Sequence, residues 1–134
     1  MDGEPGVERR VVLVVDREPV VGELISGAVS AQPGYQAVLV ADAAVALATI
    51  EAVQVDLAII DLDLPGLSGI ELVDRLRSGA SRTIPVLVVS DGSAEHTAAM
   101  RERRIATFVQ KPFEIDTLIG LVRRLVSPGP VGPV

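Results

Sequence analysis

Polar side chains stand where apolar runs stop. Residues 11–15 are followed by Asp16, residues 57–60 by Asp61, residues 86–89 by Ser90, and residues 106–110 by Lys111. Carboxylates, a hydroxyl and an ammonium are the groups that phosphoryl chemistry uses. A carboxylate can attack phosphorus and become an acyl phosphate. A second carboxylate can hold a divalent metal, and Mg²⁺ takes hard oxygen ligands, one or two carboxylates beside phosphate oxygens. The hydroxyl and the ammonium can bind the remaining phosphate oxygens. The chemistry requires that one fold bring these ends together.

The spacing of apolar residues describes such a fold. Residues 55–60 are apolar on nearly every position, the pattern of a strand buried on both faces. A carboxylate at its end, Asp61, then lies at the rim of a parallel sheet, where open α/β folds bind ligands and where an uncompensated charge is costly. Further strands are expected at 11–15, 36–41, 86–89 and 106–110. Between them run helical patterns. One opens at Pro19 and carries Val21, Leu24, Ile25, Ala28 and Val29. A second follows Asp42 as N-cap, with Val45, Leu47, Ala48 and Ile50. A third, 68–77, follows a Pro65-Gly66 turn and buries Leu72, Val73 and Leu76 before Gly79. Residues 93–104 form a weakly amphipathic fourth, and 114–126 a fifth with a clear stripe of Ile115, Leu118, Ile119, Val122, Leu125 and Val126. Five strands each followed by a helix predict an α/β fold, a doubly wound five-stranded parallel sheet with helices on both faces.

Composition narrows the function. The 134 residues suit one domain, expected over 10–127. Residues 1–9 read as a disordered segment and 128–134, rich in Pro and Gly, as a flexible tail or linker stub. A net charge of −6 speaks against direct nucleic-acid binding. No apolar stretch suits a bilayer and no signal pattern opens the chain, so a cytoplasmic location without membrane contact is expected. The chain has no cysteine, hence no disulfide or thiolate site. Lys111 is the only lysine among twelve basic residues, and ammonium and guanidinium are not interchangeable. The single histidine, His96, reads as a solvated helix residue.

Four segments together resemble the receiver domain of bacterial two-component response regulators. They are Val14-Val15-Asp16, the stretch from Asp61 through Pro65 to Gly69, Val88-Val89-Ser90, and Phe108-Val109-Gln110-Lys111-Pro112-Phe113. The resemblance implies a flavodoxin-like strand order 2-1-3-4-5. It implies that Asp61 is a phosphoacceptor served by a histidine kinase. Mg²⁺ would be held by Asp16, Asp61 and the backbone carbonyl of Asp63. Ser90 would move toward the phosphoryl group, Lys111 would pair with Asp61 and then with phosphate, and Phe108 would be the aromatic switch. The Lys111-Pro112 bond is usually cis in the family. The output face, also a surface for a homodimer, would comprise the fourth helix, fifth strand and fifth helix, with Arg101, Arg103 and Arg104 upon it. Its partner would be an effector protein or an output domain, the chain being stand-alone or cut from a longer regulator. Enzymatic activity would be limited to self-catalysed phosphotransfer and dephosphorylation at Asp61.

Two residues depart from the family pattern. Arg17 stands where a second acid is usual, and a guanidinium cannot bind a metal. Asp16 and Asp61 against Arg17 and Lys111 then sum to zero, which predicts weak Mg²⁺ binding if Arg17 points inward and one missing acidic neighbour if it points outward. Asp91 stands where a small residue is common, and is expected to narrow the mouth, repel phosphate or pair with Arg17. These departures motivate an alternative, a phosphorylation-independent pseudo-receiver acting as an interaction module. A remote alternative is a haloacid dehalogenase-type phosphatase, because Asp61-Leu62-Asp63 matches the Asp-x-Asp of those enzymes. There the pair follows the first strand, and this chain is short for a cap domain.

Overall fold

The apolar runs form five strands, β1 (Arg10–Val15), β2 (Tyr35–Val40), β3 (Leu57–Asp61), β4 (Val86–Ser90) and β5 (Phe108–Gln110). Five helices alternate with them, α1 (Pro19–Ser30), α2 (Ala43–Ala52), α3 (Gly69–Ser78), α4 (Ala94–Glu102) and α5 (Ile115–Leu125). These elements come from a computed structural model, which describes residues 9–64 and 68–127. The expected disordered segment (save Arg9), the Pro65-Gly66 turn and the 128–134 tail lie outside the described residues.

All strand pairs are parallel, in the order β2-β1-β3-β4-β5. The doubly wound sheet of the sequence reading is therefore present. Successive residues of β1 and β3 serve opposite faces. Leu13, Val15, Ala58 and Ile60 join Leu72 and Leu76 of α3 and Ala43 and Ala46 of α2 in one core. Val12, Val14, Leu57 and Ile59 join Ile25 and Val29 of α1 and Leu118 and Val122 of α5 in the other. No helix among the described residues is long and apolar enough to cross a membrane.

The register decides where the strands stop. Val15 lies opposite Ile60, Asp61 opposite Val89, and Ser90 opposite Gln110. Asp16, Asp61, Ser90 and Lys111 consequently emerge at one rim.

Some expectations need correction. In α1 the buried residues are Gly22, Ile25 and Val29, while Leu24 is exposed. A Cβ on Gly22 would come within 2.9 Å of Leu39, so α1 turns this small residue toward β2 and Leu24 away from it. In α2 the buried residues are Ala43 and Ala46, with the expected Leu47 and Ile50 packed against the same core, whereas Val45 and Ala48 face solvent. That helix is apolar around most of its circumference, so periodicity selected its face only in part. Asp42 does cap it, accepting from the Val45 N–H at 2.9 Å. Strand β5 starts at Phe108 rather than Ala106, as suits an edge strand with a single neighbour.

Helix α3 begins with a capping box, in which Ser68 accepts from the Glu71 N–H and Glu71 reaches back to the Ser68 N–H. Its first residue, Gly69, lies against the end of β3. A Cβ there would fall 2.5 Å from Leu62 Cα and closer still to the Asp61 carbonyl oxygen. Both neighbours are backbone and cannot turn aside. Gly69→Ala is therefore expected to destabilise the protein by ~2 kcal/mol or more. Gly27→Ala, in α1 with nothing within 4 Å of the new Cβ, should stabilise it by ~0.5–1 kcal/mol. Urea midpoints of the two variants check the contrast.

Candidate functional site

Asp61 is the last residue of β3 and is 2% exposed. Both of its oxygens are engaged. Oδ1 accepts from the Asp63 N–H at 2.9 Å, and Oδ2 accepts from Lys111 Nζ at 2.6 Å. Lys111 directly follows β5, its bond to Pro112 is cis, and Nζ also donates to Glu18 Oε1 at 3.0 Å. Burial alone would lower its pKa, but the hydrogen bonds to Asp61 and Glu18 outweigh burial and raise it. Lys111 is a fixed cation.

Asp16 is also buried. Its Oδ1 accepts from the Glu18 N–H at 2.8 Å, while Oδ2 has no hydrogen-bond partner. Burial pushes this carboxyl up to about 6, helped by the neighbouring charges of Asp61 and Glu18 against the Glu18 N–H and Lys111. Asp16, Glu18 and Asp61 each offer an oxygen, all within 4.8 Å of one another. An orphaned buried oxygen among hard donors fits a small divalent cation such as Mg²⁺.

Glu18 was not singled out by the sequence reading. It stands at the N-cap of α1, makes no capping bond with its side chain, and turns instead toward Lys111. The available signal was its place in the loop of Asp16, directly before the helix-starting Pro19.

Arg17 turns the other way. Its Nη2 meets Asp63 Oδ2 at 3.1 Å, with both side chains about half exposed. It does not pair with Asp91. The expected charge sum of zero fails for two reasons: Arg17 lies outside the cluster, and Glu18 lies inside it. Three carboxylates around one ammonium leave a net of −2. The same pair holds the Asp63 carboxylate at the surface, away from the position of a general acid beside Asp61.

Ser90 ends β4 with no exposure, and Gly92 N–H donates to its Oγ at 3.0 Å. His96 is not a solvated helix residue. Ser93 caps α4 and His96 is the third residue after it, so its ring lies in the first turn, facing the end of β4. Its Nδ1 is 3.2 Å from Ser90 Oγ and 2.8 Å from Asp91 Oδ1. The same Asp91 oxygen accepts from the Ser93 N–H at 2.8 Å, and that bond foremost holds the Asp91 carboxyl below its ordinary range. Asp91 is thus turned to the start of α4.

Phe108 opens β5 and is 41% exposed. Of the three arginines expected near it, Arg103 points back to α3, with two hydrogen bonds to Asp74 at 2.7 and 2.9 Å.

Residues 12–123 match the family described as the response regulator receiver domain. The chain belongs to that family. It is 33% identical over 118 residues to the nitrogen assimilation regulatory protein NtrX of Azorhizobium caulinodans, covering 87% of this chain and 26% of that protein. It is 29% identical to the transcriptional regulatory protein TcrA of Mycobacterium tuberculosis, covering 90% of this chain and 47% of the relative. The receiver thus spans half or less of the length of these curated relatives. Among solved structures it resembles the Francisella response regulator 1452 receiver domain, with a TM-score of 0.77, 29% identity and coverage of 87% and 96% of the two chains. Vibrio cholerae chemotaxis protein CheY4 superposes with a TM-score of 0.78 at 25% identity, over 88% of this chain and 99% of that one. Receivers are modules of two-component signalling rather than classical enzymes.

Asp16 supplies a test of the site. Its folded pKa of about 6 lies above the ordinary 3.8, so ionising it costs the native state stability as pH rises between these values. At neutral pH without metal, Asp16→Asn keeps the Oδ1 acceptor and removes a buried charge, and should raise stability by ~1–3 kcal/mol. Mg²⁺ is expected to raise the Tm of the parent protein, and the same variant should lose that rise. Paired thermal melts with and without Mg²⁺ measure both effects.

Proposed function

We propose that this receiver is a phosphorylation-controlled switch in which Asp61 accepts a phosphoryl group from a histidine kinase. The observation that carries the reading is the Asp61 carboxylate, buried at a strand end with one oxygen 2.6 Å from the chain's only lysine. A carboxylate oxygen of Asp61 attacks phosphorus, the bond from phosphorus to the donor nitrogen breaks, and the donor histidine leaves. Negative charge on the phosphoryl oxygens is met by the Lys111 ammonium and by the Ser90 hydroxyl.

Asp16, Glu18, Asp61 and the backbone carbonyl of Asp63 would hold Mg²⁺. The ion supplies positive charge to the phosphoryl oxygens when bound. Phe108, half exposed at the edge of the sheet, would report the state of Asp61 to a face made of α4, β5 and α5. That face would meet an effector protein, an output domain of a longer regulator, or a second copy of the chain. The outward turn of Arg17 weighs against the phosphorylation-independent alternative, because the residue that motivated it does not enter the cluster.

Incubation with acetyl phosphate and Mg²⁺ should label the protein once, on Asp61, and Asp61→Asn should abolish the label. Repeated turnover of p-nitrophenyl phosphate would instead support a phosphatase. Glu18→Gln should weaken Mg²⁺ binding about tenfold, read by calorimetric titration, because it removes one of three anionic ligands. Arg17→Ala should change the labelling rate by no more than about twofold, as befits an exposed pair worth under ~1 kcal/mol. A large acceleration in that variant would return Arg17 to the pocket.

A further inference from the structure

We propose that a cavity at the starts of β4 and β5 binds a small organic phosphate, with three arginines for its phosphate oxygens and an apolar floor for its body. The site lies at the opposite rim of the sheet from Asp61 and does not rest on the proposed function.

The cavity exists because β5 begins late. β4 starts at Val86, but its pairing with β5 starts only at Val88 and Phe108. The first rung is the Val88 N–H on the Thr107 carbonyl at 3.3 Å. Alternate residues of a strand turn their backbone polar groups to the same neighbour, so Val86 faces the same side as Val88, ahead of the first residue of β5. The space left there is about 330 Å³, within the range of small-molecule sites.

Its lining has two characters. Ile84 and Ile105 form an apolar floor packed against the core beneath α3. Arg77 from the last turn of α3, Arg82 from the loop before β4 and Arg104 from the loop after α4 also line it, all three exposed, and Thr107 adds a hydroxyl. No acidic residue lines the cavity. Among the described residues none of the three arginines makes an ion pair. Asp74, three residues before Arg77, is committed to Arg103 through two hydrogen bonds at 2.7 and 2.9 Å. Arg77 gives Nη1 to the Arg103 carbonyl at 2.9 Å and keeps its other donors. In a chain of net charge −6, these three cations are a local site rather than part of a generally basic surface.

Arg104 carries the inference furthest, because its backbone is left-handed, with φ 55°. It follows α4, where the Arg104 N–H bonds the Arg101 carbonyl at 3.1 Å and the Ile105 N–H bonds the Met100 carbonyl at 2.9 Å. Glycine is the usual residue at such a helix end, since a side chain makes this conformation costly. An arginine held there against that cost, with its side chain on a cavity, is the kind of local strain that working sites retain.

The chemistry of the lining selects the ligand. A guanidinium presents a planar fork of N–H groups that matches phosphate oxygens, and it stacks on flat rings. Three of them exceed what one carboxylate can engage and suit an anion with several oxygens. The apolar floor takes an uncharged body, and the concave shape suits a small molecule. A nucleotide-like organic phosphate has both parts.

GDP is a probe whose two parts can be separated, because pyrophosphate carries its charge without its body and guanosine its body without its charge. Binding is read by calorimetric titration at neutral pH and by amide shifts of ¹⁵N-labelled protein. Mg²⁺ is omitted, so that Asp16, Glu18 and Asp61 repel the probe from the other rim. GDP should bind with a Kd below about 1 mM, pyrophosphate about tenfold more weakly, and guanosine not measurably. The shifts should centre on Val86, Ile105 and Thr107 and spare Asp16 and Asp63. Arg82→Ala and Arg104→Gly should each weaken GDP binding about tenfold, the worth of one charge-assisted hydrogen bond. Arg104→Gly should also show a Tm at or above that of the parent, because it relieves the left-handed strain, so its loss of binding cannot come from unfolding. No binding of GDP up to about 5 mM, shifts centred on the Asp61 loop, or undiminished binding in both variants would overturn the proposal. Pyrophosphate bound as tightly as GDP would overturn it too, since the apolar floor would then contribute nothing. A glutamate-rich peptide bound more tightly than GDP would assign the cavity to a protein partner and overturn it as well. None of these readouts involves phosphorylation of Asp61.

Discussion

The contact between Asp61 Oδ2 and Lys111 Nζ, 2.6 Å long, ties the centre of the sheet to its edge. Asp61 is reached only through a strand buried on both faces, so its charge lies where water cannot compensate it. Lys111 comes from the far side of β4, and the two can meet only if all three strands stop in register. Removing the lysine would leave a buried carboxylate facing two others, and breaking a buried pair costs far more than the pair itself contributes. The interaction therefore acts less as a source of stability than as a constraint on where β3, β4 and β5 end.

One ammonium does not neutralise three carboxylates, and the remainder falls on Asp16. Its unpartnered Oδ2 and its raised pKa are two signs of one condition, a buried negative charge that the nearby Lys111 does not bond and only partly offsets. A protein selected only for stability would place an amide or an apolar residue there. The retained cost is sited where a doubly charged ion and a phosphoryl group would relieve it. Strain or desolvation concentrated at one rim of an otherwise regular sheet is the usual mark of a working site.

Much of the fold was legible because β1 and β3 are apolar on successive residues and because α3 and α5 carry stripes of helical period. Periodicity placed Val21, Ile25, Ala28 and Val29 of α1 and Leu47 and Ile50 of α2 against the core but misplaced Leu24, Val45 and Ala48, because apolar residues occupy much of both helices and small residues hold the closest positions. Gly22 lets α1 approach β2, and Ala43 and Ala46 do the same for α2. A scale that rewards large apolar side chains looks past such positions. At the site, Asp16, Asp61, Ser90 and Lys111 were legible because each directly follows an apolar run, and strand ends fix direction as well as place. Arg17, Glu18 and His96 were not, because they lie in a loop or a first turn, where neighbouring residues point opposite ways. Composition along the loop cannot say which of Arg17 and Glu18 turns inward. The decision comes from partners distant in sequence, Asp63 for the arginine and Lys111 for the glutamate.

Both departures from the family pattern are answered within their own loops. Arg17 removes an acid from one position, and Glu18 restores one at the next, so the charge around Lys111 does not depend on which residue of the loop supplies it. Asp91 adds a carboxylate beside Ser90, and the Ser93 N–H takes up that charge at the start of α4. A single substitution viewed alone predicts a damaged site in each case. The electrostatics of a rim are set instead by which side chains the local backbone turns inward, and a long flexible acid such as glutamate can reach the same point from one residue further along. The substitutions at positions 17 and 91 therefore change how the pocket is held together while leaving its net charge, its hydroxyl and its ammonium in place.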